Sequence, residues 1–203
     1  MTVYPGDHPE PPPNLAQRSP LIYELNVGAT LFRLHDRHHH PIFFGKTGSN
    51  RFDSPDASFG ALYLGIDEHC AFIETFGSPT GIVAVSGAML EERNLAEITI
   101  LQPLRLIDLS GSGGLARLGA DARLLSGSHS IAQRWSAALR SHPVHPHGIL
   151  YPARHDPAKN ACMIFDCPAK VFQIVSRGTL MSVQNKGLLS AILNDYGFGL
   201  IQS

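Results

Sequence analysis

Apolar positions recur along this chain with two periods, and each period predicts a different element. Leu31-Phe32-Arg33-Leu34 and Ala61-Leu62-Tyr63-Leu64 are short apolar runs of strand composition. Ile98 to Leu101, Leu104 to Leu109, Gly148 to Tyr151, Cys162 to Phe165 and Val171 to Val175 read the same way, with Pro103 separating the first two as an edge or turn. A helical spacing of three to four residues appears at Leu115, Leu118, Ala122 and Leu125. It returns at Ile131, Trp135, Ala138 and Leu139 after the capping candidate Ser128, and again at Leu188, Leu189, Ile192 and Leu193. Asp67 as N-cap and Gly77 as C′ bracket a further helix from Glu68 to Phe76. Glu74 falls in its last turn, the negative end of the helix macrodipole, so local structure gives no reason for an anion there.

The strands arrive in clusters rather than in a regular alternation with helices. The fold class is therefore α+β, and a doubly wound nucleotide-binding sheet is disfavoured. Residues 1–20 hold five prolines by position 13 and few apolar side chains, which predicts an extended arm or a segment that folds only against a partner. Residues 21–203 form the expected domain. At 43% hydrophobic, 203 residues can bury one sizeable core without metals or disulfides.

Charge narrows the partners. Sixteen Lys and Arg against seventeen Asp and Glu leave a net charge of -1, so no overall basic field draws in nucleic acid or an anionic membrane. Cys70, Cys162 and Cys167 form no CxxC pair and leave an odd thiol, which suits a reducing cytosol. No basic start followed by an apolar run marks a secretion signal, and no apolar stretch reaches about twenty residues. A cytoplasmic protein is expected.

The strongest motif candidates fail on spacing. Gly111-Ser112-Gly113-Gly114 lacks both the Lys-Ser/Thr ending of a phosphate loop and the rhythm of a dinucleotide fingerprint. His35, His38, His39 and His40, and then His142, His145 and His147, sit in polar or proline-interrupted loops without HExxH or a carboxylate partner, so no metal is expected. Neither a GxSxG elbow nor a Cys–His signature is present.

One constellation remains: Arg33, Asn50-Arg51-Phe52-Asp53, Tyr63, and Ala71-Phe72-Ile73-Glu74-Thr75-Phe76. In its aromatic-Arg strand, Arg-Phe element, tyrosine strand and Ala-x-x-Glu helix it resembles the RES family of toxins from bacterial type II toxin–antitoxin systems. Gln133-Arg134-Trp135 and Gly148 to Pro157 look like the second half of one RES subgroup. The resemblance covers roughly Leu31 to Phe165. It implies a compact ADP-ribosyltransferase-like fold, with small sheets forming a cleft for NAD and helices flanking them. It also implies a toxin that cleaves the nicotinamide–ribose bond of NAD by hydrolysis or phosphorolysis, held inactive by a partner antitoxin that covers the cleft. A mono-ADP-ribosyltransferase acting on a protein acceptor is the alternative, and a non-catalytic partner-binding module is another.

The residues make chemical sense in those roles. Breaking this bond builds positive charge on the ribose and releases a neutral base, so one carboxylate without a general acid suffices. That carboxylate would be Glu74, unless it is an ordinary solvated helix residue. Arg33 and Arg51 suit the pyrophosphate through bidentate guanidinium contacts, or else pair on the surface with Asp36 or Asp53. Lys46 is a further phosphate candidate. Tyr63 would offer a ring to a base and a hydroxyl to the ribose, and Phe52 a second apolar wall, although both could be core. The pattern departs at Ala153, where the subgroup carries its serine. Ser126 or Ser128 would have to supply that hydroxyl, or the chain dispenses with it.

Overall fold

The computed structural model describes residues 9–77, 81 and 83–201. In chain order they form β1 (Ile22–Leu25), β2 (Thr30–Asp36), β3 (Ala61–Gly65), α1 (Glu68–Phe76), β4 (Ala84–Ser86), α2 (Gly87–Glu91), β5 (Arg93–Ile100), β6 (Leu104–Asp108), α3 (Gly114–Leu118) and α4 (Arg123–Ser126). α5 (His129–Arg140), β7 (Gly148–Pro152), β8 (Asn160–Phe165), β9 (Phe172–Thr179), α6 (Lys186–Tyr196) and β10 (Gly199–Ile201) complete the set. The α+β class read from the sequence holds.

Eight strands share one sheet in the order β1-β6-β7-β8-β3-β2-β5-β9, and β10 pairs in parallel with β4. Within the large sheet β6 and β7 run parallel, joined by the crossover that carries α3, α4 and α5. The sheet is nearly severed in its middle. β2 and β3 meet at a single register pair, Phe32↔Gly65, whereas β3 pairs with β8 over Ala61↔Phe165 to Gly65↔Ala161 and β2 pairs with β5 along its whole length. The small sheets expected from the sequence are thus a five-stranded and a three-stranded half, hinged at one residue pair.

Side chains alternate across the larger half. Tyr63, Ile107, Ile149 and Met163 face one core with Trp135, Phe52 and Phe59, while Leu62, Leu64, Leu106, Leu150, Cys162 and Ile164 face another. The second core also draws Leu31, Ala96, Ile98 and Ile100 from the smaller half, so the sheet curls around it. A third core, built on Leu34, Phe72, Leu95, Leu189 and Ile192, joins the smaller half to α1 and α6. Burial on both faces explains why the central strands read as continuous apolar runs rather than alternating ones.

α1 starts where predicted, with Asp67 Oδ1 accepting from Cys70 N at 2.7 Å. Its end differs. Gly77 is extended at φ -60, ψ 130, and a side chain there would collide with the His155 ring, so glycine serves a close approach rather than a left-handed cap. The single helix predicted over Leu115 to Leu125 is two, because Gly119 at φ 73 ends α3 in a left-handed cap. Ser128 stands at the N-cap of α5 as expected, but its hydroxyl makes no capping bond and pairs with that of Ser130 at 2.8 Å.

The described part of the proline-rich arm packs on its own domain. Leu15 is buried in the first core, Trp135 Nε1 donates to the Pro9 carbonyl at 2.9 Å, and Arg134 pairs with Glu10. His142 bonds the carbonyls of Leu15 and Arg18, each at 3.1 Å.

Gly148 opens β7 between β6 and β8, and a Cβ there would strike the Met163 carbonyl and lie 3.0 Å from Ile164 Cα. Both obstacles are backbone in a central strand and cannot give way. Gly148→Ala is expected to destabilise the fold by about 1–3 kcal/mol, the scale of an overpacked core, with a matching fall in urea midpoint. An unchanged midpoint would show that β7 is not locked between its neighbours as described.

Candidate active site

The split between β2 and β3 opens into a cavity of about 390 Å³. β2 contributes Arg33, β3 contributes Tyr63, α1 contributes Glu74 and Thr75, and β5 contributes Arg93. Asn50 and Arg51 come from the loop before β3, and Tyr151, Arg154 and His155 from β7 and the loop after it. Among the described residues lining this space are four arginines and one carboxylate, and of the arginines Arg51 and Arg154 act on that carboxylate.

Glu74 is placed by the length of α1. It stands seven residues after the Asp67 cap, beside Ile73 of the first core and Phe72 of the third in sequence, and itself lines the cavity. Its Oε1 accepts from Arg154 N at 2.8 Å, a partner that offsets the unfavourable dipole. The carboxylate reaches water through the mouth of the cleft and is enclosed by protein on its other sides. That enclosure pushes its carboxyl up, opposed by the Arg154 N–H and by His155, Arg154 and Arg51. Contact with water keeps the rise small.

The arginines are held by carbonyls rather than by acids. Arg33 Nη1 donates to the Pro41 and Phe43 carbonyls, and burial, then the charge of Arg93, pushes its guanidinium down to about 10. Arg51 Nη1 donates to the Gly127 carbonyl at 2.8 Å and the Leu124 carbonyl at 3.4 Å, at the C-terminal end of α4. Burial and then the charge of Arg154 lower its pKa too. Neither arginine pairs with Asp36 or Asp53: Asp36 caps His38 N at 2.9 Å, and Asp53 is committed elsewhere. Each guanidinium keeps its charge and, among the described residues, presents it to the cavity without a carboxylate in ion-pair contact.

Asp53, fully buried, organises the loop that carries Arg51. It accepts from Asn50 N at 3.0 Å and from the Tyr63 hydroxyl at 2.9 Å, and the same hydroxyl accepts from Phe52 N at 3.1 Å. Burial and the Asp53 carboxylate push the Tyr63 phenol far up, so it stays protonated. The loop is clamped from α5 as well. Gln133 Nε2 donates to the Gly48 and Asn50 carbonyls at 2.8 and 2.9 Å, and Ser136 Oγ to the Phe52 carbonyl at 2.8 Å.

Of the residues singled out in the sequence, Arg33, Arg51, Tyr63 and Glu74 converge on the cavity. Phe52 does not: its side chain is fully buried with its ring 5.0 Å from that of Tyr151, and it serves as core. Lys46 does not either; it follows the Gly45↔Ala61 bridge and points its charge into water away from the lining. Tyr63 contributes its ring, since its hydroxyl is engaged with Asp53 and the Phe52 N–H. Neither candidate serine replaces the missing hydroxyl, because Ser126 Oγ bonds the Ala122 carbonyl and Ser128 pairs with Ser130, both outside the lining. Ala153 is 1% exposed and belongs to the first core. Arg93, Tyr151, Arg154 and His155 were not assigned a role from the sequence. Tyr151, Arg154 and His155 lie inside the Gly148 to Pro157 motif, whereas nothing local to Arg93 foretells that β5, pairing it with Asp36, brings its charge within reach of Arg33.

Among the described residues, no group of three or more His, Cys, Asp or Glu is arranged to hold a metal, and no helix is long and apolar enough to cross a membrane.

Comparison with known proteins fits this geometry. The chain is similar to the Probable toxin y4kH of Sinorhizobium fredii, at 31% identity over 122 residues, 60% of this chain and 93% of that protein. Its fold is similar to that in the crystal structure of the M. tuberculosis MbcT-MbcA toxin-antitoxin complex, with TM-score 0.59 and 17% identity over 82% of this chain and 93% of the other. The RES domain model matches residues 30–182, a span from β2 to just past β9 that takes in Glu74, Tyr63 and all four cavity arginines. The chain belongs to the RES domain family.

Proposed function

We propose that this protein is the toxin of a toxin–antitoxin pair and that it cleaves the nicotinamide–ribose bond of NAD. The observation that carries the reading is the charge pattern of the cavity, which among the described residues is lined by four arginines and a single carboxylate. A dianionic pyrophosphate joined to a ribose that turns cationic during reaction is a ligand of that pattern.

In the proposed reaction the bond between ribose C1′ and the nicotinamide nitrogen breaks, and its electron pair leaves with the nitrogen. Nicotinamide departs neutral and needs no proton. The positive charge moves onto the ribose, where the Glu74 anion stabilises it. Water or phosphate then bonds to C1′ and gives up a proton. Arg33 and Arg51 hold the pyrophosphate, and the ring of Tyr63 bounds the site beside Glu74. Bringing like charges together is unfavourable, and an anionic ligand relieves the repulsion between Arg33 and Arg93 and between Arg51 and Arg154.

Kinetics on folded variants test the division of labour. Glu74→Gln keeps the shape and the bond from Arg154 N while removing the charge, so kcat for nicotinamide release should fall ~10²–10³-fold with KM little changed. Arg51→Ala should chiefly raise KM. Wild-type kcat in Glu74→Gln would remove Glu74 from the chemistry. With NAD labelled in the ADP-ribose portion, free ADP-ribose or its phosphate supports this reading, and label fixed to protein supports transfer instead.

The pH profile follows from the raised carboxyl. Activity needs the anion, so kcat/KM, which follows the free enzyme, should drop as pH falls through the Glu74 pKa, at an acid limb above the ordinary glutamate value of about 4.3. An acid limb at or below that value would contradict the enclosure described for Glu74.

The neutralising partner of such a toxin would close the same cleft. A partner carboxylate seated on the unshared arginine charge would occupy the place of the pyrophosphate. NAD and the antitoxin should therefore compete in a binding titration, and independent binding of the two would refute this mode of inhibition.

A further inference from the structure

We infer that Tyr196, at the end of α6, is a positioning residue for Glu74: its hydroxyl holds the β7–β8 loop in the register at which Arg154 donates its backbone N–H to the Glu74 carboxylate. The inference rests on Glu74 acting as proposed above. Tyr196 lies beyond the family match, which stops at residue 182.

The contacts form one closed path. Tyr196 Oη donates to Asp156 Oδ2 at 2.9 Å. Asp156 in turn organises the loop, its Oδ1 accepting from Ala158 N at 3.2 Å and its carbonyl from Lys159 N at 2.9 Å. Ala153 N donates to the Lys159 carbonyl at 2.9 Å, which fixes where Arg154 leaves the strand. Lys159 Nζ reaches Asp67 Oδ2 at 2.6 Å, and the other oxygen of Asp67 caps α1. The loop is thereby tied to the first turn of α1 by Lys159 and to its last turn by the Arg154–Glu74 bond.

The Lys159 side chain is 33% exposed, so its ion pair holds the height of the loop along α1 only loosely. Tyr196 supplies the third point from a rigid base. Its ring packs on the same helix, stacked on Phe72 at 6.4 Å and edge-on to His69 at 5.9 Å, so the hydroxyl position is referred to α1 itself. A phenol locked by ring packing transmits position better than a flexible ion pair, because few torsions remain free.

Tyr196→Phe removes only the hydroxyl and keeps the packing. In 15N-labelled protein, the Arg154 amide reports on the bond to Glu74. In the variant its exchange with solvent should rise about fivefold, the scale of one net hydrogen bond. The titration of Glu74 seen at that amide should move to higher pH, because the N–H that favours the anion is lost. The other groups acting on Glu74, namely Arg51, His155 and the Arg154 side chain, remain in place. In steady state kcat should fall by a similar factor, with KM changed less. Asp195→Asn, on the same helix as Tyr196, weakens the pair with His69 of α1 while both rings stay in place, and should leave all three readings unaltered.

An Arg154 amide that exchanges and titrates as in the wild type would overturn the inference, as would equal effects from Asp195→Asn, which would reveal general loosening of α6. If wild-type protein releases no nicotinamide from NAD, the functional reading fails, and the amide measurements still decide whether Tyr196 holds the loop.

Discussion

A sheet whose two halves touch at one residue pair cannot be held flat by its own hydrogen bonds. At Phe32↔Gly65 the ladder is interrupted, and what keeps the halves together is apolar packing on both sides of the junction. The second core curls the halves toward each other on one face. On the other face α1 sits across the gap, Cys70 and Ile73 in one core and Phe72 in another. The backbone of α1 comes so close to the junction that a Cβ on Gly65 would lie 2.6 Å from Ala71 N. The cavity follows from this geometry, because strands that diverge leave between them a space that side chains from both halves line.

That space gathers like charge, which costs energy unless polar groups compensate. Backbone carbonyls take that part: Pro41 and Phe43 for Arg33, Leu124 and Gly127 for Arg51. A carbonyl satisfies a guanidinium's donors without neutralising it, whereas a carboxylate would do both. The two arginines are thus fixed in direction and remain attractive to an anion. Asp53, the acid nearest in sequence to Arg51, is turned inward to the Tyr63 hydroxyl and Asn50. The same economy explains Glu74, whose bond to a main-chain N–H leaves its charge intact.

Much of the strand pattern was legible because buried central strands must be apolar throughout, and α1 was legible because Asp67 offers an unambiguous cap. Arg33, Arg51, Tyr63 and Glu74 were found through a motif whose members lie close together in the chain. Phe52 and Lys46 flank those residues and share their composition, and only the direction of the backbone, inward at one and outward at the other, separates them. Gly119 splits a helix whose apolar spacing is continuous, since the pattern records which face is buried and not whether the backbone breaks beneath it. The segment before residue 21 reads as an extended arm or one that folds only against a partner, yet its described residues dock on their own domain through buried Leu15, the Glu10–Arg134 pair and hydrogen bonds from Trp135 and His142. Those partners lie more than 120 residues away, a distance over which no local pattern speaks.

The strand order also governs when the site can exist during synthesis. β3, which carries Tyr63, has its long ladder with β8, so Tyr63 faces Met163, one hundred positions further along the chain. Until β8 has left the ribosome, β3 lacks the strand that joins it to β7, and the larger half of the sheet stays open. Long-range pairing of this kind folds slowly and late, because loop closure precedes any gain from contact. A nascent chain therefore passes through most of its translation without a formed cavity, and ribosome-bound fragments ending before β8 carry the arginines and Glu74 as an unassembled set.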